Sequence, residues 1–328
     1  MGCGAWRLAI AAALIAAPLG AQSDTGESGT SLIADLQALQ ADDARLQTIG
    51  YRLATANAAF CADIQPSSGL LLADVRNFDA PDRVRTAMKL GGDFAVQAAA
   101  KGSPAAEAGV AAGEEVLSLD GEDLTKLPAR RANDTARIVA VQDRIDRALS
   151  ARGQFTLGLR ARALKISGQP ACRARFEVQT SGHGANGGRL VAGVSQKMLG
   201  LTLGDDETAF VTAHELSHVL MRHSARLLVE GRKARNVIVT EREADRLALW
   251  LMANAGYDPA AAPVFLRRWG AKGLAGLFQQ PTHDRTEPRA RAAEAELAAL
   301  NAEPKTSAGT RDWRGHFKPF TSGATLLP

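Results

Sequence analysis

The chain has 328 residues, of which 46% are hydrophobic and 23% charged, a composition that is typical of a globular protein and excludes a disordered or fibrous one. This length suffices for one large domain or two ordinary ones. The formal net charge is only +4, and Lys and Arg alternate with acidic residues without forming an aromatic-basic cluster, so a nucleic-acid partner is not expected.

Residues 1–21 have the pattern of a signal peptide. Arg7 precedes an apolar run at 8–17, and small residues follow up to Ala21, where cleavage is expected. An uncleaved membrane anchor is the alternative. Cys3 precedes the apolar run and so cannot serve as a lipoprotein anchor. No later stretch is apolar for long enough to span a membrane, which predicts an exported, periplasmic protein with at most peripheral membrane contact.

Removal of the signal leaves two cysteines, Cys61 and Cys172, which in an oxidising compartment are expected to form one disulfide bond. Apolar residues recur at helical spacing between positions 31 and 60. This pattern predicts one long helix or two shorter ones in residues 22–66, as the N-terminal part of the main module.

Residues 67–165 are predicted to form a small β-rich domain, because short apolar runs alternate with turn residues. Within it, KGSPAAEAGVAAGEEVLSLDGEDL resembles the PDZ domains of exported bacterial proteases. Pro104 would begin a short helix, Gly109 would end it, and Asp120-Gly121 would form a turn after a strand at 116–119. The resemblance implies a groove that binds C-terminal peptides by strand addition. A spacer without a ligand is the alternative, and residues 68–71 and 90–93 both remain candidates for the carboxylate-binding loop.

Residues 166–303 are predicted to form the main module, followed by an irregular tail at 304–328. Strand-like residues 174–179 and 189–195 flank a Gly-rich loop that contains His183, for which no role at the site is expected. The strand at 189–195 is the candidate edge for pairing with an extended substrate. His316 in the tail is expected to be inert.

The pattern with the clearest chemistry is His214-Glu215-Leu216-Ser217-His218, in a helix expected to be capped by Asp205 or Asp206. Two histidines one helical turn apart leave the same face and can share one Zn²⁺ ion. Glu215 stands beside them as a general base for a metal-activated water.

A catalytic zinc site needs a third protein ligand. Met221 and Ser224 stand where the longer HExxHxxGxxH pattern requires Gly and His, which excludes that class. Glu241 and Asp245 have the ExxxD spacing of zinc peptidases with a Glu ligand, and this similarity implies that Glu241 is the third ligand, with Glu243 as the alternative. Asp245, one turn further along a helix, is expected to accept the free ring N–H of a zinc-binding histidine. Glu243 is expected to face solvent, and His223, placed on the opposite side of one continuous helix, is expected to be exposed.

The runs HELSHVLMRH, EREADRLALWLMANAGYDP and THDRTEPRARAAE together resemble the HtpX and CAAX-prenyl-protease family of gluzincin metallopeptidases, and in particular its soluble exported members with an inserted PDZ-like domain. The resemblance implies an α+β fold, with a mostly helical zincin-like peptidase domain, and one Zn²⁺ per chain. It also implies that His283 lies over the zinc, where it either occludes the metal or stabilises the oxyanion, and that Arg289 matches the family's arginine, with a helix-stabilising ion pair as the alternative. Asp284 stands where the family has proline, which weakens the prediction for His283. Prenyl-protein processing is not implied, because the spanning helices of the membrane members are missing.

These features predict a zinc-dependent metalloendopeptidase that cleaves unfolded or flexible envelope proteins, with Glu215 as base. Two alternatives remain: the protein could be autoinhibited, or it could act as a non-proteolytic chaperone or adaptor through the PDZ-like module.

Overall fold

The structure is a computed structural model that describes residues 27–128, 135–180, 185–187, 190–200, 203–271 and 286–321. The expected signal peptide, His183 and His283 therefore lie outside the described residues. Within the described ranges, no helix combines the length and the apolar character needed to cross a membrane.

The N-terminal part is one long helix, α1 (Glu27–Ala56). Its buried residues include Leu46, Ile49 and Leu53, which recur at helical spacing and pack into the core of the main module. The periodicity of the sequence is compatible with one long helix or two shorter ones, and the structure has one.

The β-rich part follows, with strands β1 (Leu70–Asp74), β2 (Phe94–Ala99), β3 (Val116–Leu119), β4 (Glu122–Asp123), β5 (Gln154–Leu159) and β6 (Ala163–Ser167) and helices α2 (Pro81–Ala87), α3 (Pro104–Glu107) and α4 (Ala136–Arg152). Strands β1 and β2 pair antiparallel, with Leu70 opposite Ala99. The other four form an antiparallel sheet in the order β4-β3-β5-β6. Buried residues of β2, β3, β5 and α4 share a core that is separate from that of the main module.

The local predictions for this part are confirmed. The Ser103 hydroxyl accepts a hydrogen bond from the Ala106 N–H and so caps α3, which begins at Pro104. Asp120 and Gly121 both have positive φ, 50° and 82°, as a two-residue turn between β3 and β4 requires. The likeness to PDZ domains remains a prediction.

The main module contains strands β7 (Arg175–Gln179), β8 (Ala185–Gly187) and β9 (Val191–Ser195), and helices α5 (Gln196–Leu199), α6 (Asp205–Leu220), α7 (His223–Glu230), α8 (Ala234–Asn254), α9 (Ala261–Ala271) and α10 (Thr286–Ala302). Strand β9 pairs parallel with β7 and antiparallel with β8. The expectation that the strand at 189–195 forms an edge is therefore wrong, because β9 is the central strand of the order β7-β9-β8.

One edge of this sheet is covered by α1. The Asp43 carboxylate accepts a hydrogen bond from the Val178 N–H, and the Gln47 side chain donates one to the Phe176 carbonyl oxygen. These contacts occupy the outer backbone groups of β7. Among the described strands, β8 is therefore the edge that α1 leaves open.

A disulfide bond joins Cys61 to Cys172, as expected, with a Cα–Cα distance of 5.5 Å. The chain enters and leaves the β-rich part side by side at this point, since isolated bridges pair Ile64 with Cys172 and Ser67 with Gln169. The last described residues are irregular but packed: Trp313 is buried and donates its indole N–H to Asn57.

Candidate active site

Helix α6 places His214, Glu215 and His218 at the centre of the main module, where it packs against α8, β8 and β9. The helix begins after Gly204, so Asp205 and Asp206 belong to its first turn and are not the N-cap that the sequence suggested. The two imidazoles leave one face of α6, and the distance between their Nε2 atoms is 3.1 Å.

Helix α8 brings Glu241 to the same point. It begins at Ala234, so Glu241 lies two turns inside the helix and not at its start. One carboxylate oxygen of Glu241 lies 3.3 Å from His214 Nε2 and the other 3.4 Å from His218 Nε2. Among the described residues, these three are the group whose ligand atoms converge closely enough to hold a metal ion.

The spacing of these atoms fits a tetrahedral metal. Ligand atoms about 2.0–2.2 Å from Zn²⁺ lie about 3.3–3.6 Å from each other in a tetrahedral arrangement. The 3.1 Å between the two histidine nitrogens is close to that value, and each Glu241 oxygen lies at 3.3 or 3.4 Å from one of these nitrogens. One ligand atom from each of the three residues lies within 4.8 Å of the others. Two imidazoles and one carboxylate suit Zn²⁺ and several other divalent ions, so the donor set indicates a metal without selecting one.

The protein environment favours positive charge at this point. Burial opposes the charged form of His214, but its hydrogen bonds with Asp245 and Glu241 outweigh burial and raise its pKa to about 10. Burial and the neighbouring His214 lower the pKa of His218 well below its usual value. Without a metal ion, one imidazole thus carries a proton where an ion would otherwise bind.

Asp245 and Arg289 orient His214 from the Nδ1 side of its ring, away from the metal site. Asp245 Oδ1 lies 2.9 Å from His214 Nδ1. Arg289 from α10 donates two hydrogen bonds of 2.7 Å to the two oxygens of the same carboxylate. Burial alone would raise the pKa of Asp245, yet the charge of Arg289 and its hydrogen bonds bring it to about 2. An ionised Asp245 accepts the Nδ1–H and leaves the Nε2 lone pair of His214 directed at the metal site.

Glu215 is buried next to the ligands and borders an apolar pocket lined by Phe210, Val211, Phe265 and Leu266. Burial raises the pKa of its carboxyl to about 8 in the metal-free protein. A carboxyl group in such surroundings can accept and return a proton near neutral pH.

The prediction for His223 was wrong, and that for Glu243 holds only in part. The helix does not continue through this region: Arg222 has a left-handed φ of 56°, α6 ends at Leu220, and a new helix begins at His223. His223 is 1% exposed, and its ring lies between His218 and Glu243. The sequence carries little signal for this break, because Met221-Arg222 contains neither Gly nor Pro. Glu243 consequently contacts His223, and its side chain remains 24% exposed.

The family model for Peptidase family M48 matches residues 179–240 of the chain. Searches among curated proteins and among solved structures each return no match. The matched segment contains His214, Glu215 and His218 and ends one residue before Glu241, whose place in the site rests on spacing and geometry. This part of the chain is thus similar to Peptidase family M48, whose members are metal-dependent peptidases. The structure itself mixes helix and sheet, as the sequence predicted.

Proposed function

We propose that this protein is a zinc-dependent metalloendopeptidase that cleaves unfolded or flexible proteins of the cell envelope. The observation that carries the proposal is the convergence of the ligand atoms of His214, His218 and Glu241 beside the buried Glu215. The M48 match supports the same class of reaction. A Zn²⁺ ion held by these three residues would supply a Lewis acid for a water molecule and for the peptide carbonyl.

In the proposed mechanism the chain's own residues move the protons. Glu215 accepts a proton from the attacking water and returns it to the amine that leaves. The pair of Asp245 and Arg289 keeps His214 in the tautomer that can bind a metal. Burial beside the side chains of the apolar pocket keeps the pKa of Glu215 high.

We place substrate binding at strand β8 instead of the strand proposed from sequence. The proposal rests on the order β7-β9-β8 and on the cover that α1 provides for β7. An extended peptide could add to β8 by backbone hydrogen bonding next to α6, which carries the site. Backbone pairing of this kind needs a substrate segment that is unfolded or flexible. This requirement supports protein quality control as the physiological task.

The β-rich part offers a second place for a peptide. A cleft lies where the start of β1 and α4 meet α1 and β7, and its lining includes Ser68, Leu71, Ile145 and Leu149. In the other candidate loop, the N–H groups of Gly91 and Gly92 already donate to the Glu115 carboxylate. The N–H groups of Gly69 and Leu70 also have acceptors, the Ser67 and Ser68 hydroxyls at 3.3 and 3.4 Å, so these hydrogen bonds do not choose between the loops. The cleft beside residues 68–71 favours that loop for binding a C-terminal carboxylate. We expect Leu71→Arg to abolish binding of apolar C-terminal peptides, measured by fluorescence anisotropy, and unchanged binding would contradict this location.

The Cys61–Cys172 bond supports an oxidising compartment, and with the signal-like N-terminus it supports a periplasmic location. N-terminal sequencing of the protein from its native host should find a mature chain that begins at Gln22. A chain that retains residues 1–21 would favour the anchored alternative.

The decisive experiment replaces Glu215 by Gln in the mature protein. The amide has nearly the same shape but cannot act as a base, so hydrolysis of unfolded casein should fall at least about a hundredfold. Zinc content, measured by mass spectrometry of the dialysed protein, should not change. Glu207→Gln is the matched control on the same helix, where Glu207 pairs with Arg268 away from the ligands.

Two results would contradict the assignment: proteolysis at the wild-type rate in Glu215→Gln, or complete loss of its zinc. A wild-type protein that binds unfolded casein without cleaving it would favour the adaptor alternative.

A further inference from the structure

The buried imidazole of His223 connects a proposed metal ligand to a second carboxylate. His223 Nδ1 lies 2.9 Å from His218 Nδ1, and His223 Nε2 lies 3.0 Å from a Glu243 oxygen. The side chain of His223 is 2% exposed, so water cannot replace these contacts easily. Arg226 lies 3.4 Å from the same Glu243 oxygen and keeps a positive charge beside it.

With a neutral His223, its two contacts allow one consistent arrangement of protons. A carboxylate accepts hydrogen bonds and cannot donate them, so the His223 Nε2 that faces Glu243 must carry a proton. In a neutral imidazole the other nitrogen is then an acceptor. The short contact between the two Nδ1 atoms therefore requires His218 Nδ1–H to donate to His223 Nδ1.

This arrangement leaves the Nε2 of His218 without a proton. That atom is the one that faces His214 Nε2 and Glu241, at 3.1 and 3.4 Å. The opposite tautomer would direct an N–H into the ligand cluster and would set a His223 lone pair against the Glu243 carboxylate. The contact of His223 with Glu243 would then be repulsive, and the N–H of His218 would occupy the place of a metal ion. The contact with Glu243 therefore favours the first tautomer of His218.

We propose that His223 and Glu243 are positioning residues that hold His218 in the tautomer and orientation that bind the metal. The proposal rests on the proposed metal site and deepens it. Each histidine ligand then has its own carboxylate: Asp245 contacts His214 directly, and Glu243 acts on His218 through a second imidazole. The break at Arg222 makes this chain of contacts, because it turns His223 back towards α8.

The simplest alternative to a positioning role is that His223 only fills space in the core. Two substitutions of His223 distinguish these two roles. His223→Asn keeps an acceptor oxygen close to the position of Nδ1, whereas His223→Leu fills similar space without any acceptor. His316→Leu is the matched control, since it removes another histidine–glutamate contact, with Glu303 at 3.2 Å, far from the ligands in sequence and on a different element.

Zinc affinity of the full mature protein, measured by competition with a chromophoric chelator, is the first readout. We expect His223→Leu to weaken zinc binding about 10- to 100-fold, the usual effect of losing a partner of a metal-bound histidine. His223→Asn should recover most of that loss, and His316→Leu should bind as the wild type does. Equal affinities for the Leu and Asn variants would overturn the positioning role.

The second readout is the protonation of individual nitrogens, from ¹⁵N-histidine NMR of the zinc-loaded wild type. We expect a proton on Nδ1 of His218 and on Nε2 of His223. A proton on Nδ1 of His223 in a zinc-loaded protein would overturn the proposed chain while leaving the metal site intact. A wild type that binds no zinc at all would overturn the proposed function first, and the positioning role with it.

Discussion

At the residue scale, Glu241 and Glu243 stand two positions apart on α8 but contact different histidines. Glu241 lies between the Nε2 atoms of His214 and His218, whereas Glu243 lies against His223. The first is placed to bind a metal and the second to orient one of its ligands. The difference follows from the 200° that separate two such positions around a helix.

We therefore expect Glu241→Ala to lose its zinc on dialysis, because a site with two histidines remains one ligand short. Glu243→Ala should keep zinc at stoichiometric concentrations and lose affinity only about tenfold, as for other supports of a ligand. Metal analysis after dialysis and a chelator titration measure the two effects. Equal zinc retention in both variants would mean that the third ligand is another residue, with His283 the first to test.

His283 lies outside the described residues, and its role stays a prediction from the family resemblance. If this histidine covers the metal at rest, His283→Ala should raise the basal cleavage of unfolded substrates without changing zinc content. If it donates to the oxyanion, the same substitution should lower turnover roughly a hundredfold. An unchanged rate would contradict both roles, and His316→Ala serves as the control.

At the scale of elements, α1 links the two parts of the molecule through Asp43. Its carboxyl group lies 2.7 Å from the Gln97 amide nitrogen on β2 and 3.2 Å from the Val178 N on β7. Burial raises its pKa to about 7, with smaller opposing effects of the two hydrogen bonds. The folded protein thus binds this proton more tightly than the unfolded chain does.

A raised carboxyl pKa makes the fold lose stability as the pH rises from about 4 to about 7, because over this range the unfolded chain releases the proton that the folded protein keeps. The loss amounts to at most about 4 kcal/mol for a shift of this size. Asp43→Asn removes the ionisation and can still accept from Val178 and donate to Gln97. We expect this variant to gain stability relative to the parent between pH 5 and pH 8.

Urea unfolding at both pH values measures the difference, with Glu215→Gln as the common parent to prevent self-cleavage. The same substitution at the exposed Asp82 is the control and should show no such pH dependence. A constant difference between Asp43→Asn and its parent at the two pH values would contradict the raised pKa.

At the scale of the whole molecule, the disulfide bond closes the β-rich part at its base. Cys61 and Cys172 are 111 residues apart in sequence, and the bond joins the two strands of chain that connect the parts. Closing a loop of this length should stabilise the fold by about 4 to 5 kcal/mol in the chain-entropy model. The two parts have separate hydrophobic cores, and the disulfide bond connects them covalently, independently of packing.

We expect the double variant Cys61→Ala/Cys172→Ala to unfold at lower urea concentration, with a loss approaching that value. Thiol titration of the unfolded, unreduced mature protein should find no free thiol. Two free thiols, or an unchanged unfolding midpoint in the double variant, would contradict a stabilising bond and remove its support for an oxidising compartment.

The sequence by itself determined the features that depend on short spacing. Helical geometry sets that His214 and His218 share one face and that Glu241 and Asp245 share another. The expectation that the two faces meet at one metal ion came from the similarity to zinc peptidases. The capped helix at Pro104 and the turn at Asp120-Gly121 follow from equally local rules.

The tertiary structure alone decided which strand lies in the centre of the sheet, how α1 covers β7, and where His223 points. Strand order depends on pairings between distant segments, and β9 has the same local pattern in the centre as it would have at an edge. The position of His223 depends on the left-handed backbone conformation of Arg222, which no neighbouring Gly or Pro in the sequence indicates. A single change of φ redirects every residue after it, and only the packing of α7 against α8 shows that the change has occurred.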